Sequence, residues 1–242
     1  MGVNRNGMEL YGVKMTRLLS EHELNFMANF VSFEKKEKLA KFKSKKDFQR
    51  SLFADLLVRA LLIKRIGIMN SKLQFSINDY GKPLLRNSKI EYNLSHSGEW
   101  VVCAIDQFQI GIDIEKIVPI SLGIAKRFFS YKEYYQIINK DPNERNDFFF
   151  DLWTLKESYL KATGYGLSIP LSTFSFALNK NEIVFESNDV NEKFYFKQYD
   201  IADSYKFAVC AISNLFPEKV KTLSLDEFLV DFFPLLHKNK WT

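Results

Sequence analysis

The sequence predicts an α+β fold in which two similar α/β subdomains pack with pseudo-twofold symmetry and hold a ligand site at their seam. The chain has 242 residues, which allows two domains of about a hundred residues each. Its composition, 46% hydrophobic and 26% charged, is typical of a globular protein. Short segments typical of strands also recur in the same order in the second half of the chain.

Three pairs of positions mark this internal repeat: Gly12 with Gly111, Phe75 with Phe174, and Cys103 with Cys210. The first two pairs are 99 residues apart and the third pair is 107 apart, as expected if the second copy carries a short insertion. Each position lies in a short apolar or alternating run near turn residues, which predicts a strand.

A helical stretch lies between the first two strands of each half. FQRSLFADLLVRALLIKRIG ends at Gly67, and NDFFFDLWTLKESYLKATGYG ends at Gly164 or Gly166. Glycine that follows basic residues is a typical helix C-terminus. Each half is therefore predicted as a strand, helices, a strand and hairpin-like strands, and a seam between two such halves is a favoured place for a ligand.

We place the first subdomain at residues 1–110, the second at 111–213, and a C-terminal helix or arm, packed on the body, at 214–242. Residues 1–110 carry 18 basic and 11 acidic side chains, a net charge of +7, whereas residues 111–242 carry 16 and 18, a net charge of −2. Eight basic residues lie in the run Lys35–Arg50. An anionic partner would explain this run, and so would a solvated lysine-rich helix face.

Composition and motifs exclude several classes of protein. The two cysteines lie in apolar runs, so a disulfide scaffold is excluded and a cytoplasmic location is expected. The chain lacks an apolar run of the ~20 residues that a membrane span needs, so we expect no membrane association. Three histidines and two cysteines without ligand spacing exclude a zinc site. The motifs of P-loop, Rossmann and nucleophile-elbow enzymes do not occur.

Two acidic residues alternate with isoleucines in IGIDIEKI. Because the side-chain period of a strand is two, Asp113 and Glu115 are expected on one face. Neighbouring carboxylates are stabilised by a cation, and oxygen ligands suit Mg²⁺ or Mn²⁺. The alternative is an ordinary solvent-facing acidic strand.

The helix DLWTLKESYLKATG carries three functional candidates at a spacing of four. Trp153, Glu157 and Lys161 therefore share one face. If that face meets the acidic strand, three carboxylates could hold a hydrated Mg²⁺, and Lys161 could contact the phosphates bridged by the metal. The alternative is a surface ion pair between Glu157 and Lys161.

His96 lies in YNLSHSGEW, where a strand runs into a tight Ser-His-Ser-Gly loop. Exposed backbone N–H and hydroxyl groups in such a loop can wrap a phosphate. The alternative is a merely solvated histidine. A Ser-His-Asp hydrolase is a poor interpretation because Ser95 and Ser97 flank the histidine itself.

The combination of YGKPLL, YNLSHSGEWVVCAI, IGIDIEKI, FFSYKEY and LWTLKESYLKATGYGLSIPLSTFSF resembles the 4′-phosphopantetheinyl transferases of the surfactin-synthetase-activating type. The resemblance extends from about residue 11 to about residue 212. The bipartite pattern of G-I-D with W-x-x-K-E-S/A-x-x-K is specific to this family. Its members are pseudo-dimers of about this length, which agrees with the two-half interpretation and implies a monomer.

The resemblance implies an enzyme that moves the phosphopantetheine arm of coenzyme A onto a serine of an apo acyl or peptidyl carrier protein and releases adenosine 3′,5′-bisphosphate. Asp113, Glu115 and Glu157 are then the expected ligands of Mg²⁺, with Mn²⁺ also possible. Lys161 is expected to bind the diphosphate. Catalysis is expected to depend on Glu157, Lys161 and Asp113, with coenzyme A as the co-substrate.

The resemblance also implies a site for the nucleotide end of coenzyme A, built by Lys35, Lys38, Arg50, Ser51, Lys82, Ser95 and His96. Ser51 stands where relatives often carry Thr, which keeps the hydroxyl. Gln49 stands where a histidine is often seen, so no role is transferred to it.

The reaction requires a base for the carrier serine, and Glu157 is our hypothesis, with Glu133 as the reserve candidate. The acidic carrier is expected to dock on a basic and aromatic segment, which contains Lys126, Arg127, Phe128, Phe129 and Lys132. The alternative for Phe128 and Phe129 is a place in the core. Whether the carrier serves fatty-acid, polyketide or nonribosomal-peptide synthesis stays open.

Two other functions compete with the transferase interpretation. A nucleic-acid-binding protein would use Lys35–Arg50 with its interleaved Phe42 and Phe48, but no nucleic-acid fold signature is present and we expect no such partner. A metal-dependent phosphoesterase would use the same carboxylates on free coenzyme A or nucleotides. It would release product without a carrier, which separates it from a transferase.

Overall fold

A computed structural model describes residues 7–179, 182–187 and 192–237. The outer ends of the predicted first subdomain and C-terminal arm, residues 1–6 and 238–242, lie outside the described residues. The architecture is α+β, which confirms the predicted class. Among the described helices, none is both long and apolar enough to cross a membrane.

The first half contains an antiparallel sheet packed on a long helix. Its strands are β1 (Glu9–Lys14), β4 (Glu91–Ser97) and β5 (Trp100–Asp106), and β5 pairs antiparallel with both of the others. The remaining elements are α1 (Glu21–Met27), α2 (Phe33–Leu39), α3 (Lys45–Ile66), and the hairpin of β2 (Phe75–Ile77) and β3 (Pro83–Leu85). Ser44 caps the N-terminus of α3, where its hydroxyl accepts the Asp47 N–H, and Gly67 caps the C-terminus with φ 69°.

The second half repeats this arrangement. Its sheet has the order β6-β10-β9, and the strands are β6 (Ile110–Lys116), β9 (Tyr195–Gln198) and β10 (Tyr205–Ala211). The remaining elements are α4 (Leu122–Phe128), α5 (Tyr131–Ile138), α6 (Arg145–Thr163), and the hairpin of β7 (Phe174–Asn179) and β8 (Glu182–Ser187). Of the two glycines predicted to end the long helix, Gly164 does so, with φ 74°.

The internal repeat is a repeat of topology, but its register differs by one residue. Gly111 pairs with Cys210 across β6 and β10. In the first half, Cys103 pairs with Tyr11, and Gly12 pairs with Val102. A slip of one residue changes the face of the sheet on which a side chain lies. Gly111 therefore faces the long helix of its half, whereas Gly12 faces the layer between the sheets.

Apolar side chains fill three layers. One lies between the first sheet and α3, and another lies between the second sheet and α6. The third contains residues from both sheets, among them Leu10, Trp100 and Val102 of the first and Ile112, Ile114 and Val209 of the second. Burial of this shared layer holds the two halves together.

The C-terminal arm is built into the first half. Its strand β11 (Lys221–Ser224) pairs in parallel with β1, which gives the first sheet the order β11-β1-β5-β4. A short helix, α7 (Leu225–Glu227), then continues as helical turns to His237. Side chains of this segment, Leu225, Phe228, Phe232, Phe233 and Leu236, are buried in the same layer as α3.

Candidate active site

The site is formed where β4 of the first half runs alongside β6 of the second. These strands belong to different sheets, and side chains bridge them. The backbone N–H groups of Ile112, Ile114 and Lys116 donate to the side-chain oxygens of Asn93, Ser95 and Ser97, at 2.9, 3.3 and 3.1 Å respectively. The alternate polar residues of β4 therefore satisfy the free edge of β6.

The helix α6 approaches β6 very closely because Gly111 has no side chain. A Cβ atom at this position would lie 2.1 Å from the Ser158 carbonyl oxygen and 2.2 Å from the Ala162 nitrogen. This approach brings the helix face with Trp153, Glu157 and Lys161 over the acidic face of the strand. The Gly of the G-I-D motif thus has a packing role that determines the geometry of the site.

Asp113 is buried at the centre of the site, with 2% of its surface exposed. Its Oδ1 accepts hydrogen bonds from Lys161 Nζ at 2.6 Å and from Ser95 Oγ at 2.9 Å. Its Oδ2 is buried and has no hydrogen-bond partner among the described residues. A buried carboxylate oxygen without a partner is costly unless a ligand completes it. Lys161 thus pairs with Asp113 across the seam of helix and strand, and not with Glu157 as a simple surface pair would require.

Glu115 and Glu157 are both partly buried in the same cavity. Burial and the neighbouring Asp113 carboxylate raise the pKa of Glu115 to about 7, against the hydrogen bond from Ser97 Oγ at 2.7 Å. Burial and the Asp113 charge also raise the pKa of Glu157. The Asp113 charge therefore destabilises the ionised forms of Glu115 and Glu157, as expected of a cluster that receives positive charge.

The opposite wall of the cavity carries cationic and hydroxyl groups from the first half. Lys35 Nζ donates to Ser51 Oγ at 2.9 Å, which joins α2 to α3. Burial lowers the pKa of Lys35. Desolvation by the surrounding protein and the nearby cations of Arg50 and Lys161 lower the pKa of His96, which favours its neutral form.

These groups surround a cavity of about 510 Å³ between the two halves. The sequence-predicted residues that line it are Lys35, Ser51, Ser95, His96, Asp113, Glu115, Glu157 and Lys161. Lys35 and hydroxyl groups thus lie on the wall from the first half, and the carboxylates lie with Lys161 on the wall from the second. A ligand that combines anionic groups with a divalent ion matches this distribution.

A second cavity of about 270 Å³ adjoins the first and shares Leu94, Glu157 and Lys161 with it. Its other walls include the Tyr80–Pro83 loop and the C-terminal end of α6. The Tyr80 ring makes an edge contact with Tyr165, with their centroids 5.2 Å apart. Aromatic and apolar walls of this kind suit a flat heterocycle.

Three predicted nucleotide-binding residues lie differently from the expectation. Lys38 is exposed and does not line either cavity. Arg50 Nη1 donates to the Gly98 carbonyl at 2.7 Å, and its guanidinium pairs with Asp47, beside a separate cavity. Arg50 therefore holds the β4–β5 turn in this structure.

Lys82 lines the second cavity with its stem, but its ammonium is directed into the seam. Lys82 Nζ donates to the Ala162 carbonyl at 3.0 Å and lies 3.4 Å from Glu91 Oε2. Its side chain is 8% exposed. The ammonium thus binds a carbonyl at the C-terminal end of α6, and its expected contact with a phosphate stays a prediction.

Glu133 is wrong as a reserve base. It is fully buried on the other side of α6, where Lys156 Nζ lies 2.8 Å from its Oε2. Its other oxygen accepts the Phe176 N–H at 3.0 Å. Lys156 also donates to the Leu171 and Phe174 carbonyls, at 2.7 and 2.6 Å. The pair is a buried structural link between α5, α6 and β7, without access to a substrate.

Sequence reasoning missed the contribution of Ser97 to the site and transferred no role to Gln49. Ser97 contacts Glu115, and its position two residues after Ser95 was the available signal. Gln49 is buried, and its side-chain oxygen accepts the Leu19 N–H at 2.9 Å while its amide donates to the Arg17 carbonyl at 2.8 Å. Gln49 therefore supports a loop of the first half.

Comparison with known proteins gives the family. The model of the 4′-phosphopantetheinyl transferase superfamily matches residues 109–210, and a model described as 4′-phosphopantetheinyl transferase, N-terminal, matches residues 19–108. The chain is 43% identical over 224 residues to the 4′-phosphopantetheinyl transferase Sfp of Bacillus subtilis strain 168, covering 92% of this chain and 100% of that protein. This chain belongs to the 4′-phosphopantetheinyl transferase family.

Two further relatives extend this comparison. The transferase is 36% identical to the 4′-phosphopantetheinyl transferase gsp of Aneurinibacillus migulanus, covering 93% of this chain and 96% of that protein. It is 30% identical to the human L-aminoadipate-semialdehyde dehydrogenase-phosphopantetheinyl transferase, covering 68% of this chain and 58% of that protein. The predicted family and enzyme class are therefore confirmed.

Proposed function

We propose that this transferase moves the 4′-phosphopantetheine arm of coenzyme A to a serine of an apo carrier protein, in a Mg²⁺-dependent reaction that releases adenosine 3′,5′-bisphosphate. The observation that carries the proposal is the seam cavity, in which Lys35, Ser51 and His96 of the first half face the carboxylates and Lys161 of the second half. Coenzyme A carries a 3′-phosphate at one end of its nucleotide and a diphosphate where the bond breaks. The two walls match these two needs.

The 3′-phosphate is assigned to the first-half wall. Lys35 and Ser51 are already joined by a hydrogen bond, so their donors lie close together. His96 offers a neutral ring that can donate one N–H. Lys38, whose charge acts on Lys35, adds positive potential from outside the cavity. The adenine is assigned to the second cavity, against the Tyr80–Pro83 loop.

The carboxylates fit Mg²⁺ by their chemistry. All the candidate donors are oxygens, and Asp113 Oδ2 is buried without a partner in the described part of the chain. Within the described residues, no group of three or more His, Cys, Asp or Glu side chains is placed so that it could hold a metal ion by itself. Mg²⁺ usually keeps several waters and takes one or two carboxylates together with substrate phosphates, so a complete cage is not required. Asp113 and Glu115 would hold the ion, with Glu157 beside them, and Mn²⁺ would fit the same oxygens.

The chain's own residues supply position and proton transfer. When bound, the metal would neutralise charge on the diphosphate oxygens during an in-line displacement at the β-phosphorus. The Lys161 ammonium, 29% exposed at the junction of the two cavities, can add a second positive charge to the same phosphate. Glu157 is the proposed base that takes the proton from the serine Oγ, directly or through a water, and its raised pKa favours this role.

The carrier is assigned to the surface around α4 and α5. Lys126, Arg127 and Lys132 are exposed there, and Lys132 pairs with Glu186 at 2.6 Å. Phe129 is a core residue, 4% exposed, so it is not part of the proposed docking surface. Exposed aromatic area comes instead from Tyr131 and Tyr135, whose centroids lie 4.4 Å apart. A basic rim around tyrosines suits an acidic helix.

The deciding experiment measures the intact mass of an apo peptidyl carrier protein after incubation with coenzyme A, Mg²⁺ and the enzyme. We expect a gain of one phosphopantetheine arm, which is abolished by a chelator. Release of phosphopantetheine or nucleotide without carrier would indicate a phosphoesterase instead. No gain with either peptidyl or acyl carrier would overturn the proposal. The enzyme is expected to act as a monomer in the cytoplasm.

A further inference from the structure

The edge of β6 that faces β4 is satisfied by side chains rather than by a neighbouring backbone. Asn93, Ser95 and Ser97 lie on the same face of β4 and accept the N–H groups of every second residue of β6. Two of these three side chains also contact the carboxylate cluster. Asn93 does not, so it joins the strands without contacting a carboxylate.

The direction of hydrogen bonding at Ser97 is determined by the backbone. The Lys116 N–H donates to Ser97 Oγ at 3.1 Å, and Ser97 Oγ lies 2.7 Å from Glu115 Oε2. A hydroxyl has one hydrogen to donate. Because the Lys116 N–H uses an acceptor position of Oγ, the hydroxyl hydrogen is available for the Glu115 carboxylate.

The two serines differ in what else supports their carboxylates. Asp113 receives Lys161 Nζ in addition to Ser95 Oγ. Among the hydrogen bonds of the described residues, the one that holds the Glu115 carboxylate comes from Ser97. A glutamate has several rotatable bonds, so an unsupported carboxylate would have to be ordered each time an ion binds.

We propose that Ser97 is a positioning residue that holds the Glu115 carboxylate ready for the divalent ion, so that β4 of the first half organises the metal ligands of the second half. The inference depends on the proposed role of Glu115 as a metal ligand. It adds a residue outside the family-implied set, and it gives the seam hydrogen bonds a function beyond cohesion. Hydrogen bonds that orient metal ligands commonly affect metal affinity by 10–100-fold.

The test uses Ser97→Thr and Ser97→Val, since these side chains have nearly the same shape and differ in the hydroxyl. Mn²⁺ binding to the full chain is followed by the electron paramagnetic resonance signal of the free ion, without coenzyme A or carrier. We expect Ser97→Val to weaken Mn²⁺ binding by about tenfold and Ser97→Thr to stay within about threefold of wild type. In turnover, Ser97→Val should raise KM for Mg²⁺ far more than it lowers kcat.

Two controls distinguish the proposed positioning of Glu115 from a purely structural role of Ser97 in joining the strands, and from the assignment of Glu115 as a metal ligand. Asn93→Ala removes a seam hydrogen bond without touching a carboxylate, so it should lower the urea midpoint but leave Mn²⁺ affinity within about threefold. If Ser97→Val binds Mn²⁺ as wild type does, while Glu115→Gln does not bind it, the Ser97 proposal is wrong and the metal site stands. If Glu115→Gln binds Mn²⁺ as well as wild type, the ligand assignment fails and the Ser97 proposal fails with it. The carrier mass assay judges the transfer reaction independently.

Discussion

Gly111 of β6 lies so close to Ala162 of α6 that a Cβ atom at Gly111 would be 2.2 Å from the Ala162 nitrogen. The contact is between strand and helix backbone, so no flexible side chain can move aside. The distance between β6 and α6 determines whether Glu157 and Lys161 reach Asp113. The glycine thus links packing to the geometry of the active site.

We therefore expect Gly111→Ala to displace α6 and to reduce both stability and turnover. Overpacking of a tight core contact typically costs about 1–3 kcal/mol. Gly12→Ala is the matched control, because its Cβ would meet mainly the end of the Ile201 side chain, at 3.0 Å, and the Trp100 ring. Urea unfolding and carrier modification rates are measured for both variants. Equal losses in the two variants would contradict a special role for the contact of Gly111 with α6.

Glu157→Gln should nearly abolish turnover and leave the fold intact. Removal of a general base typically costs about 10²–10⁴-fold in rate. Glu144→Gln, at an exposed position just before α6, is the control and should keep wild-type kcat. The rates are measured over a range of Mg²⁺ concentrations. Recovery of the Glu157→Gln variant at high Mg²⁺ would show that Glu157 serves the metal and is not the base.

The neighbouring carboxylates of Asp113, Glu115 and Glu157 predict that the stability of the chelator-treated protein depends on pH. The pKa of Glu115 is about 7 in the folded protein and 4.5 ordinarily, so between these values the folded state binds more protons than the unfolded chain. The contribution of Glu115 to stability therefore falls as pH rises from about 4.5 to about 7. Glu115→Gln cannot ionise and should be more stable than wild type at pH 8, by on the order of 1–2 kcal/mol after allowance for partial exposure.

Urea unfolding of wild type and Glu115→Gln at pH 4.5 and pH 8 checks this expectation. The difference in unfolding free energy between the two proteins should be small at pH 4.5, because Glu115 is then largely protonated in the folded protein. Added Mg²⁺ should stabilise wild type at pH 8 but not the variant. A variant that is less stable than wild type at pH 8 in chelator would contradict the proposed repulsion within the cluster.

The parts of the site that the sequence predicted are those that depend on local periodicity. The period of two places Asp113 and Glu115 on one face, and the spacing of four places Trp153, Glu157 and Lys161 on another. These two faces meet at Gly111 as a result of tertiary packing. No periodic signal in the sequence predicts this contact, and only the family resemblance indicated it.

The differences between the expected and the observed positions have tertiary causes as well. A lysine in a loop such as Lys82 has the same sequence signature whether it faces a phosphate or the carbonyls at a helix end. Glu133 forms a capping box with Ser130 and is then buried against Lys156, a partner 23 residues away. The parallel pairing of β11 with β1 joins segments about 210 residues apart, which no local pattern reveals.

The C-terminal arm should be required for the stability of the first half. Phe228 is fully buried against Phe53, with ring centroids 5.5 Å apart, whereas Val230 is 72% exposed. We expect Phe228→Ala to cost about 3–5 kcal/mol and Val230→Ala less than about 0.5 kcal/mol. Denaturant unfolding measures both. Similar small effects would indicate that the arm is a dispensable extension.

Charge reversal should separate carrier binding from coenzyme A binding. Lys126→Glu combined with Arg127→Glu changes two exposed charges beside the tyrosines of α5, and Arg127 also lies 5.2 Å from the Phe128 ring centroid. We expect KM for the carrier to rise about tenfold, with less effect at high salt, because charges at the rim of an interface mainly steer association. KM for coenzyme A should change less than about twofold.

Lys41→Glu combined with Lys43→Glu makes the same net change on the exposed basic run of the first half and should leave KM for the carrier nearly unchanged. A larger carrier defect in this control pair would move the docking surface to the basic run, and equal losses for carrier and coenzyme A would remove α4 as the docking surface.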